Sequence, residues 1–220
     1  MIVTIDGPAG SGKSTAARGL ARRLGFTFLD TGAMYRAVAF ACLDRDIDPH
    51  DERAVADVVD RMRLDWLDGR VRIDGRDVTE EIRTAKATEA ASLVAAHPLV
   101  RARLVQMQRD AAQGRNVIAE GRDQGTVAFP HAECKFFLMA DAGERARRRH
   151  RELAGEGNSV SLETIREQIE SRDHRDQTRT VSPLLPADDA IQIDTSKLGP
   201  DELLDLLEGH VRQKSQPEAE

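Results

Sequence analysis

This chain carries Gly7-Pro8-Ala9-Gly10-Ser11-Gly12-Lys13-Ser14-Thr15, a match to GxxxxGK[ST], directly after the apolar run Ile2-Val3-Thr4-Ile5. In a loop of this kind the backbone N–H groups turn inward around an anion, Lys13 reaches the outer phosphates and the Ser14 hydroxyl ligates Mg²⁺. A glycine-rich turn that merely joins a strand to a helix is the alternative, and the strand-like and helix-like flanks argue against it. We therefore expect residues 7–15 to bind a nucleoside triphosphate together with its Mg²⁺.

The residues around this loop predict an alternating α/β fold. A helical repeat follows the loop, with Ala16, Ala17, Leu20, Ala21 and Leu24 on one face and Gly25 as its stop. Further strand-like segments occupy residues 26–29, 117–120, 134–139 and 190–193, and helical patterns separate them. This alternation predicts a parallel sheet with right-handed crossovers. Asp30, Asp123 and the loop would then lie around one crevice at the carboxyl ends of the strands.

Length and composition predict one α/β domain with small appendages. The chain has 220 residues, of which 40% are hydrophobic and 32% charged, and its net charge of −6 argues against a general nucleic-acid binder. A strand starting at residue 2 leaves no room for a signal peptide, and no apolar stretch reaches the length of a membrane span, so we expect a cytoplasmic protein. Cys42 and Cys134 lack the number and spacing of a disulfide framework or zinc site, which predicts packed thiols.

Residues 64–78 interrupt the alternation. Apolar residues recur there at short spacing around Asp68-Gly69 and Asp74-Gly75, which are typical of tight hairpin turns. The pattern predicts a small antiparallel insertion with Trp66 as a packing anchor. Helical patterns follow over residues 84–96 and from Pro98 to about Ala112. Residues 213–220 are polar and without periodicity, and we expect a disordered tail.

A helix predicted to begin near Ser161 carries a stripe that changes character halfway. Leu162, Ile165 and Ile169 recur at steps of three and four, and the same steps lead to Arg172, Asp176 and Arg179. Inward-facing charges need partners or a ligand, because desolvating them alone is costly. An intrahelical ion-pair ladder is the alternative, although such a ladder would work equally well on a solvated face.

Arg36 and Arg122 each follow a strand end, which places them beside the same crevice. Guanidinium groups suit phosphate oxygens because they form bidentate, charge-assisted hydrogen bonds. We therefore predict a second phosphate site, with Thr31 and Asp123 as polar selectors next to it. An acceptor that is itself a phosphate, with a second pKa of about 6, needs no general base. Neutralising its charge and aligning it with the donor is most of what phosphoryl transfer demands.

Residues 144–158 are rich in arginine and end in glycines. They contain Arg145, Arg147, Arg148, Arg149 and Arg151, followed by Gly155 and Gly157. Arginines next to glycine hinges predict a mobile lid over about residues 146–165, with Arg148 and Arg149 as its candidate phosphate contacts. For any one of these arginines, a solvated cationic helix face is the alternative.

Taken together, these stretches show that the chain resembles bacterial cytidylate kinases over essentially its whole length. The matching stretches are IDGPAGSGKST at 5–15, LDTGAMYRA at 29–37, EGRDQGTVAFP at 120–130 and RDHRDQTRTVSPLLPADDA at 172–190. The resemblance implies a three-layer P-loop NTPase fold with a five-stranded parallel sheet, a hairpin-bearing insertion that binds the monophosphate, and a short lid. It places the core at 1–36, 114–145 and 175–214, the insertion at about 37–113, the lid at about 146–165 and the tail at 215–220.

The resemblance also implies ATP as donor, accompanied by Mg²⁺, and CMP or dCMP as acceptor. Its residue assignments are Lys13, Arg36, Arg122 and Arg179 for catalysis at the phosphates; Thr31, Ser92, Arg101 and Asp123 facing the cytosine; Arg172 and Asp176 near the ribose; and Tyr35 within the acceptor-binding set. Relatives often have serine in place of Thr31 and aspartate in place of Glu120.

Two other functions stay open at this point. The phosphate-binding loop says nothing about the acceptor, so UMP, AMP or a small metabolite remains an alternative. A GTPase-type switch is the second alternative, but the chain contains no NKxD sequence to read guanine and such a switch leaves the inward charges near Arg172 unexplained. We expect a monomer whose partners are ATP and CMP or dCMP, with neither a nucleic-acid nor a membrane partner.

Overall fold

The computed structural model describes residues 1–67, 69–155 and 159–215. In chain order its strands and helices are β1 (Ile2–Asp6), α1 (Lys13–Leu24), β2 (Thr27–Asp30), α2 (Thr31–Asp44), α3 (Glu52–Arg61), β3 (Leu64–Leu67), β4 (Arg70–Ile73), β5 (Arg76–Asp77), α4 (Ala85–Val94), α5 (Pro98–Ala112), β6 (Val117–Gly121), β7 (Cys134–Met139), α6 (Ala142–Gly155), α7 (Leu162–Thr178), β8 (Ile191–Asp194) and α8 (Pro200–Ser215). No described helix is long and apolar enough to cross a membrane.

A parallel five-stranded sheet forms the middle layer, in the order β2-β6-β1-β7-β8. Helices α1 and α8 cover one face through a cluster that includes Leu20, Phe136 and Leu207. On the other face, Val105 of α5 and Phe129 pack against β2 and β6. The predicted three-layer α/β fold is confirmed. The register sets Asp6 opposite Gly121 and Asp30 opposite Glu120, so the segments that follow β1, β2 and β6 meet at one edge of the sheet.

The insertion has a hydrophobic core of its own. Met34 and Val38 of α2 pack there with Val55 of α3, Val94 of α4 and Leu104 of α5. Helix α2 therefore begins at the sheet edge and continues without a break into the insertion, so the predicted boundary at residues 36–37 falls inside a helix. The predicted boundaries at 145–146, 165 and 174–175 likewise fall inside the continuous helices α6 and α7.

The small antiparallel sheet predicted in the insertion is present, in the order β3-β4-β5. Asp74 and Gly75 connect β4 to β5 with φ angles of 53° and 86°, the left-handed pair that a tight hairpin turn requires. Trp66 is partly buried and packs against two hydrophobic clusters. Asp68, from the other predicted turn, lies outside the described residues.

The carboxyl-terminal prediction is wrong in part. Residues 213–215 belong to α8, whose Leu203, Leu207 and Val211 recur every four residues and hold the helix against the sheet. Residues 216–220 of the predicted tail lie outside the described part of the chain, as do residues 156–158 of the predicted lid segment. Both cysteines are buried and free, as predicted, and burial raises the pKa of each thiol to about 11.

Candidate active site

The loop between β1 and α1 leaves backbone N–H groups available to an anion. Gly7, Gly10 and Gly12 have φ angles of 149°, 76° and 87°, which non-glycine residues rarely adopt. A Cβ atom at Gly7 would lie 2.2 Å from the Leu138 carbonyl oxygen, so the loop also depends on close approach to β7. Helix α1 begins at Lys13 with no side-chain hydrogen bond capping its amino terminus. Its first N–H groups therefore point toward the place where phosphate oxygens would bind.

Lys13 is buried at the base of this loop. Its Nζ donates to the Pro8 carbonyl at 2.9 Å and lies 3.9 Å from Glu120 Oε1. Burial, together with the charge of Arg122, lowers the pKa of Lys13 to about 7, although Glu120 acts in the opposite direction. Phosphate oxygens close to this amine would favour its charged form. The position of Lys13 is therefore suited to a polyphosphate.

Oxygen atoms suitable for Mg²⁺ lie beside the same helix terminus. The Ser14 hydroxyl donates to Glu120 Oε1 at 2.8 Å, and Glu120 Oε2 is buried without a hydrogen-bond partner among the described residues. Asp30 stands opposite Glu120 on the neighbouring strand, and burial followed by the charge of Asp30 raises the pKa of Glu120. Mg²⁺ prefers hard oxygen ligands and usually binds one or two protein groups plus phosphates and water. Ser14 and Glu120 therefore fit this ion.

Positive side chains converge next to the loop from three elements. Arg36 of α2 pairs with Asp30 at 3.2 Å, and Arg122, just past β6, donates from Nε to Asp176 Oδ2 at 2.9 Å. Arg172 of α7 is different, because its Nε is buried and has no hydrogen-bond partner among the described residues. Burial lowers the pKa of Arg172 to about 10, and the charge of Arg122 adds to this effect. Cations crowded in this way form a binding site for an anion.

A buried polar group lies deeper, between α5 and the end of β6. Arg101 pairs with Asp123, donates to the Ala95 carbonyl at 3.1 Å and stands over the Tyr35 ring, 5.5 Å from its centroid. Thr31 is buried as well, and its hydroxyl donates to the Glu120 carbonyl at 2.7 Å. The structure thus brings together the predicted residues Thr31, Tyr35, Arg101 and Asp123. The Thr31 hydroxyl thus donates its hydrogen bond to the main chain, a contact that the sequence did not indicate.

A cavity of about 240 Å³ separates the insertion from α7. Its lining includes Ser92 of α4 and, across from it, Asp176 and Arg179. The Ser92 hydroxyl accepts a hydrogen bond from Arg175 Nε at 3.2 Å, while Arg179 Nη2 is buried without a partner among the described residues. Burial, more than any neighbouring charge, lowers the pKa of Arg179. Ser92 of the insertion therefore faces Asp176 and Arg179, at the end of α7, across this cavity.

Three residues near this cavity were missed from the sequence. His50, His97 and Arg175 belong to its lining. His97 precedes the helix-starting Pro98, and His50 lies in the connection between α2 and α3, so neither belongs to a periodic pattern that would have singled it out. Arg175 lies off the charged stripe that the sequence indicated, and its side chain reaches the cavity from an exposed position.

The stripe on α7 is displaced from its predicted start. Leu162 is 43% exposed, so its predicted inward position is wrong, whereas Ile165 and Ile169 are buried. The buried line continues through Asp173 and Asp176, with Arg172 half-buried beside them. Asp173 was also missed, although it lies four residues after Ile169 and so occupies the same helix face.

The arginines of α6 separate into two groups. Arg145 is buried, and Arg148 donates to the Thr195 carbonyl at 2.6 Å, while the Thr195 hydroxyl donates to the Ser11 carbonyl at 3.0 Å. Arg148 therefore lies next to the phosphate-binding loop. Arg149 does not, because it is exposed and pairs with Glu152 at 3.0 Å. Arg147 and Arg151 pair with Glu144 on the surface, in keeping with the alternative of a solvated helix face.

Comparisons with known proteins agree with this geometry. The family model described as cytidylate kinase matches residues 3–213. The cytidylate kinase of Rhodopirellula baltica is 45% identical and the alignment covers 100% of this chain and 96% of that protein. The cytidylate kinase of Mycobacterium leprae is 46% identical, with 98% and 97% covered.

A solved structure of an uncharacterized protein from Eubacterium ventriosum is similar in fold, with a TM-score of 0.57 at 14% identity over 98% of this chain and 99% of that one. This likeness bears on the fold alone. The family match spans the sheet, the insertion and both anion-binding clusters, and the chain belongs to the cytidylate kinase family.

Proposed function

We propose that this chain transfers the γ-phosphoryl group of ATP to CMP and dCMP, giving ADP and the corresponding diphosphate. The observation that carries the proposal is the pair of neighbouring anion sites. Lys13 serves the first site, and it lies close enough to Arg122 and Arg172 for their charges to lower its pKa, while the Nε of Arg172 is buried without a hydrogen-bond partner among the described residues. Two phosphate groups that bind on either side of this cluster would be held close together with their mutual repulsion neutralised.

On the donor side, residues 7–15 would hold the ATP phosphates through main-chain N–H groups and Lys13. Mg²⁺ would be held by Ser14, with Glu120 orienting the Ser14 hydroxyl, and it would neutralise negative charge on the ATP phosphates. Because Lys13 is already desolvated, its interaction with phosphate is not weakened by competing water. Arg148, next to the loop, is a candidate contact to the donor phosphates, and closure of residues 146–165 over them stays a prediction.

On the acceptor side, Arg36, Arg122 and Arg179 would bind the monophosphate. In the structure Arg36 and Arg122 are held by Asp30 and Asp176, which keeps their guanidinium groups in place before the acceptor arrives. The phosphate is mostly dianionic at neutral pH and needs no general base. Catalysis would therefore depend on alignment and charge neutralisation.

Recognition of cytosine would come from the buried polar group. An ionised carboxylate only accepts hydrogen bonds, and the exocyclic amine of cytosine only donates them, so Asp123 and cytosine are complementary. Uracil has a carbonyl oxygen at that position and would meet the carboxylate unfavourably. Arg101, Thr31, Ser92 and Tyr35 would complete the base pocket, and Arg172 and Asp176 would contact the ribose.

A coupled assay of ADP release tests the proposal with ATP as donor and CMP, dCMP, UMP, AMP and GMP as acceptors. We expect kcat/KM for CMP to exceed that for UMP by about 5- to 150-fold, the equivalent of one mismatched polar contact of about 1–3 kcal/mol. Equal turnover of UMP or AMP would refute the base assignment. Asp123→Asn should reduce the preference for CMP over UMP, whereas Asp57→Asn, at an exposed position on α3, should leave it unchanged.

Two further variants distinguish the role of the donor site from that of the acceptor site. Lys13→Ala should abolish turnover, while Arg122→Ala should mainly raise the KM for CMP and leave the KM for ATP nearly unchanged. Unchanged acceptor kinetics in Arg122→Ala would show that Arg122 has no part in the second site. We also propose that the protein acts as a monomer in the cytoplasm, and light scattering measures its oligomeric state directly.

A further inference from the structure

Arg145 of α6 connects three separate parts of the chain. Its Nε donates to the Ala140 carbonyl just after β7 at 2.9 Å, and its Nη1 donates to the Ala9 carbonyl of the phosphate-binding loop at 3.1 Å. The same Nη1 pairs with Asp173 on α7. Helix α6 also touches the loop directly, because a Cβ atom at Gly10 would lie 3.1 Å from Arg145 Cβ. One guanidinium group thus links the donor loop to the helix that carries the acceptor-side residues.

Asp173 lies within the acceptor-side charges. It is buried, it follows Arg172 directly, and Asp176 lies one turn further along the same face of α7. Its charge contributes to the raised pKa of Arg122, and at Arg172 it opposes the larger effect of burial, which lowers the pKa. A displacement of Asp173 would therefore move the face of α7 that lies next to the acceptor. It would also change the electrostatic field at the acceptor site.

Stability alone does not account for this pair. A buried ion pair can often be replaced by apolar residues without loss of stability, because both charges must be desolvated. Apolar residues would hold α6 against α7, but they could not bind the Ala9 carbonyl and fix the orientation of the loop at the same time. Directional hydrogen bonds to three segments indicate that Arg145 fixes the position of these segments relative to one another.

We propose that Arg145 and Asp173 are positioning residues that couple occupancy of the ATP loop to affinity for the acceptor nucleotide, an inference that rests on the proposed function. Phosphates bound by residues 7–15 fix the main chain at Ala9, Ala9 fixes the Arg145 guanidinium, and Arg145 fixes Asp173. Helix α7 then holds its acceptor-side residues in the binding arrangement. Coupling between two sites is reciprocal, so CMP would raise the affinity for ATP by the same factor.

Calorimetry measures the coupling as the ratio of the Kd for CMP without and with a saturating, non-hydrolysable Mg²⁺–ATP analogue. We expect a ratio of at least about 5 in the unchanged protein, the lower end of typical coupling between sites. Arg145→Lys should reduce the ratio below about 2. Lysine keeps a positive charge beside Asp173, so that carboxylate stays compensated, but an ammonium group on a flexible stem cannot reproduce the planar fork, in which Nε is held on the Ala140 carbonyl while Nη1 meets Ala9 and Asp173.

Arg147→Lys is the matched control, because Arg147 lies on the same helix and forms an exposed pair with Glu144 at 3.0 Å. It should keep the ratio of the unchanged protein. Asp173→Asn should lower the ratio as Arg145→Lys does. If the asparagine variant does not fold, the result for Arg145→Lys alone decides the proposal. A ratio of one in the unchanged protein, or an undiminished ratio in Arg145→Lys, would overturn the proposal.

These outcomes can be distinguished from failure of the proposed function. If the protein binds another nucleoside monophosphate in place of CMP, the base assignment fails, and the ratio is then measured with that nucleotide. Loss of coupling in Arg145→Lys with the cytosine preference intact supports the positioning role independently of turnover.

Discussion

Binding of ATP should be accompanied by proton uptake at Lys13. In the free protein the pKa of Lys13 is lowered to about 7, chiefly by burial and then by the charge of Arg122. At pH 8 the side chain is therefore about nine-tenths neutral, whereas beside the ATP phosphates its pKa should return toward the ordinary value of about 10.4. We expect uptake of about 0.9 proton per molecule at pH 8 and about 0.1 at pH 6, where Lys13 is already charged.

The lowered pKa of Lys13 also determines the direction in which the free energy of unfolding changes with pH. Between pH 7 and the ordinary lysine pKa, the unfolded chain holds a proton at Lys13 that the folded chain does not. The contribution of this group to the free energy of unfolding therefore rises with pH across that window in the absence of ATP. Saturating ATP should abolish this rise, because it restores the charged form in the folded protein.

Titration calorimetry in two buffers of different ionisation enthalpy gives the proton count directly. ATP is supplied as its Mg²⁺ complex and no acceptor is present, so turnover does not contribute. Lys13→Met should remove the uptake, and Lys197→Met, at an exposed position after β8, should keep it. Uptake that is absent at pH 8, or equal at pH 6 and pH 8, would refute the reasoning.

Two other predictions concern folding stability. Asp176→Asn removes the carboxylate that pairs with the largely buried Arg122, so the free energy of unfolding should fall by about 3–5 kcal/mol and the Tm by about 6–20 °C in scanning calorimetry; a loss below about 1 kcal/mol would show that the pair is solvated. Gly25→Ala should cost about 1–2 kcal/mol in urea unfolding, because Gly25 ends α1 at a φ of 69°, which strains any residue with a Cβ atom. Gly209→Ala, inside α8 with open space around it, should instead stabilise by about 0.4–1 kcal/mol, and effects of equal sign in the two alanine variants would contradict this explanation.

The parts of the fold that were predictable depend on local spacing. The GxxxxGK[ST] loop, the bounds of α5 and the hairpin at Asp74-Gly75 each follow from residues a few positions apart. The errors occurred where packing overrides a local pattern. Leu162 has the spacing of an inward residue, but the first turn of α7 lies at the surface. Residues 213–215 look like a tail, but Val211 anchors the end of α8.

The candidate site was predictable only as a set of residue types. Arginines near strand ends indicated a phosphate site, yet they did not indicate which arginine has a carboxylate partner among the described residues and which does not. The arginines of α6 show this most clearly. The sequence presents five of them in one arginine-rich segment at the predicted lid, whereas in the structure Arg145 is buried, Arg148 lies by the loop and Arg149 faces solvent.

The periodic elements, the anion-binding loop and the family can be read from the printed sequence, because they depend on short-range order along the chain. The pairing of charges cannot, since Arg101, Arg145 and Arg122 find their carboxylates 22, 28 and 54 residues away. Those partners meet only when the sheet edge, the insertion and α7 are packed together. Burial then lowers the pKa of Lys13 and leaves Arg172 without a partner among the described residues, and both features arise from the packed interior rather than from residue identity.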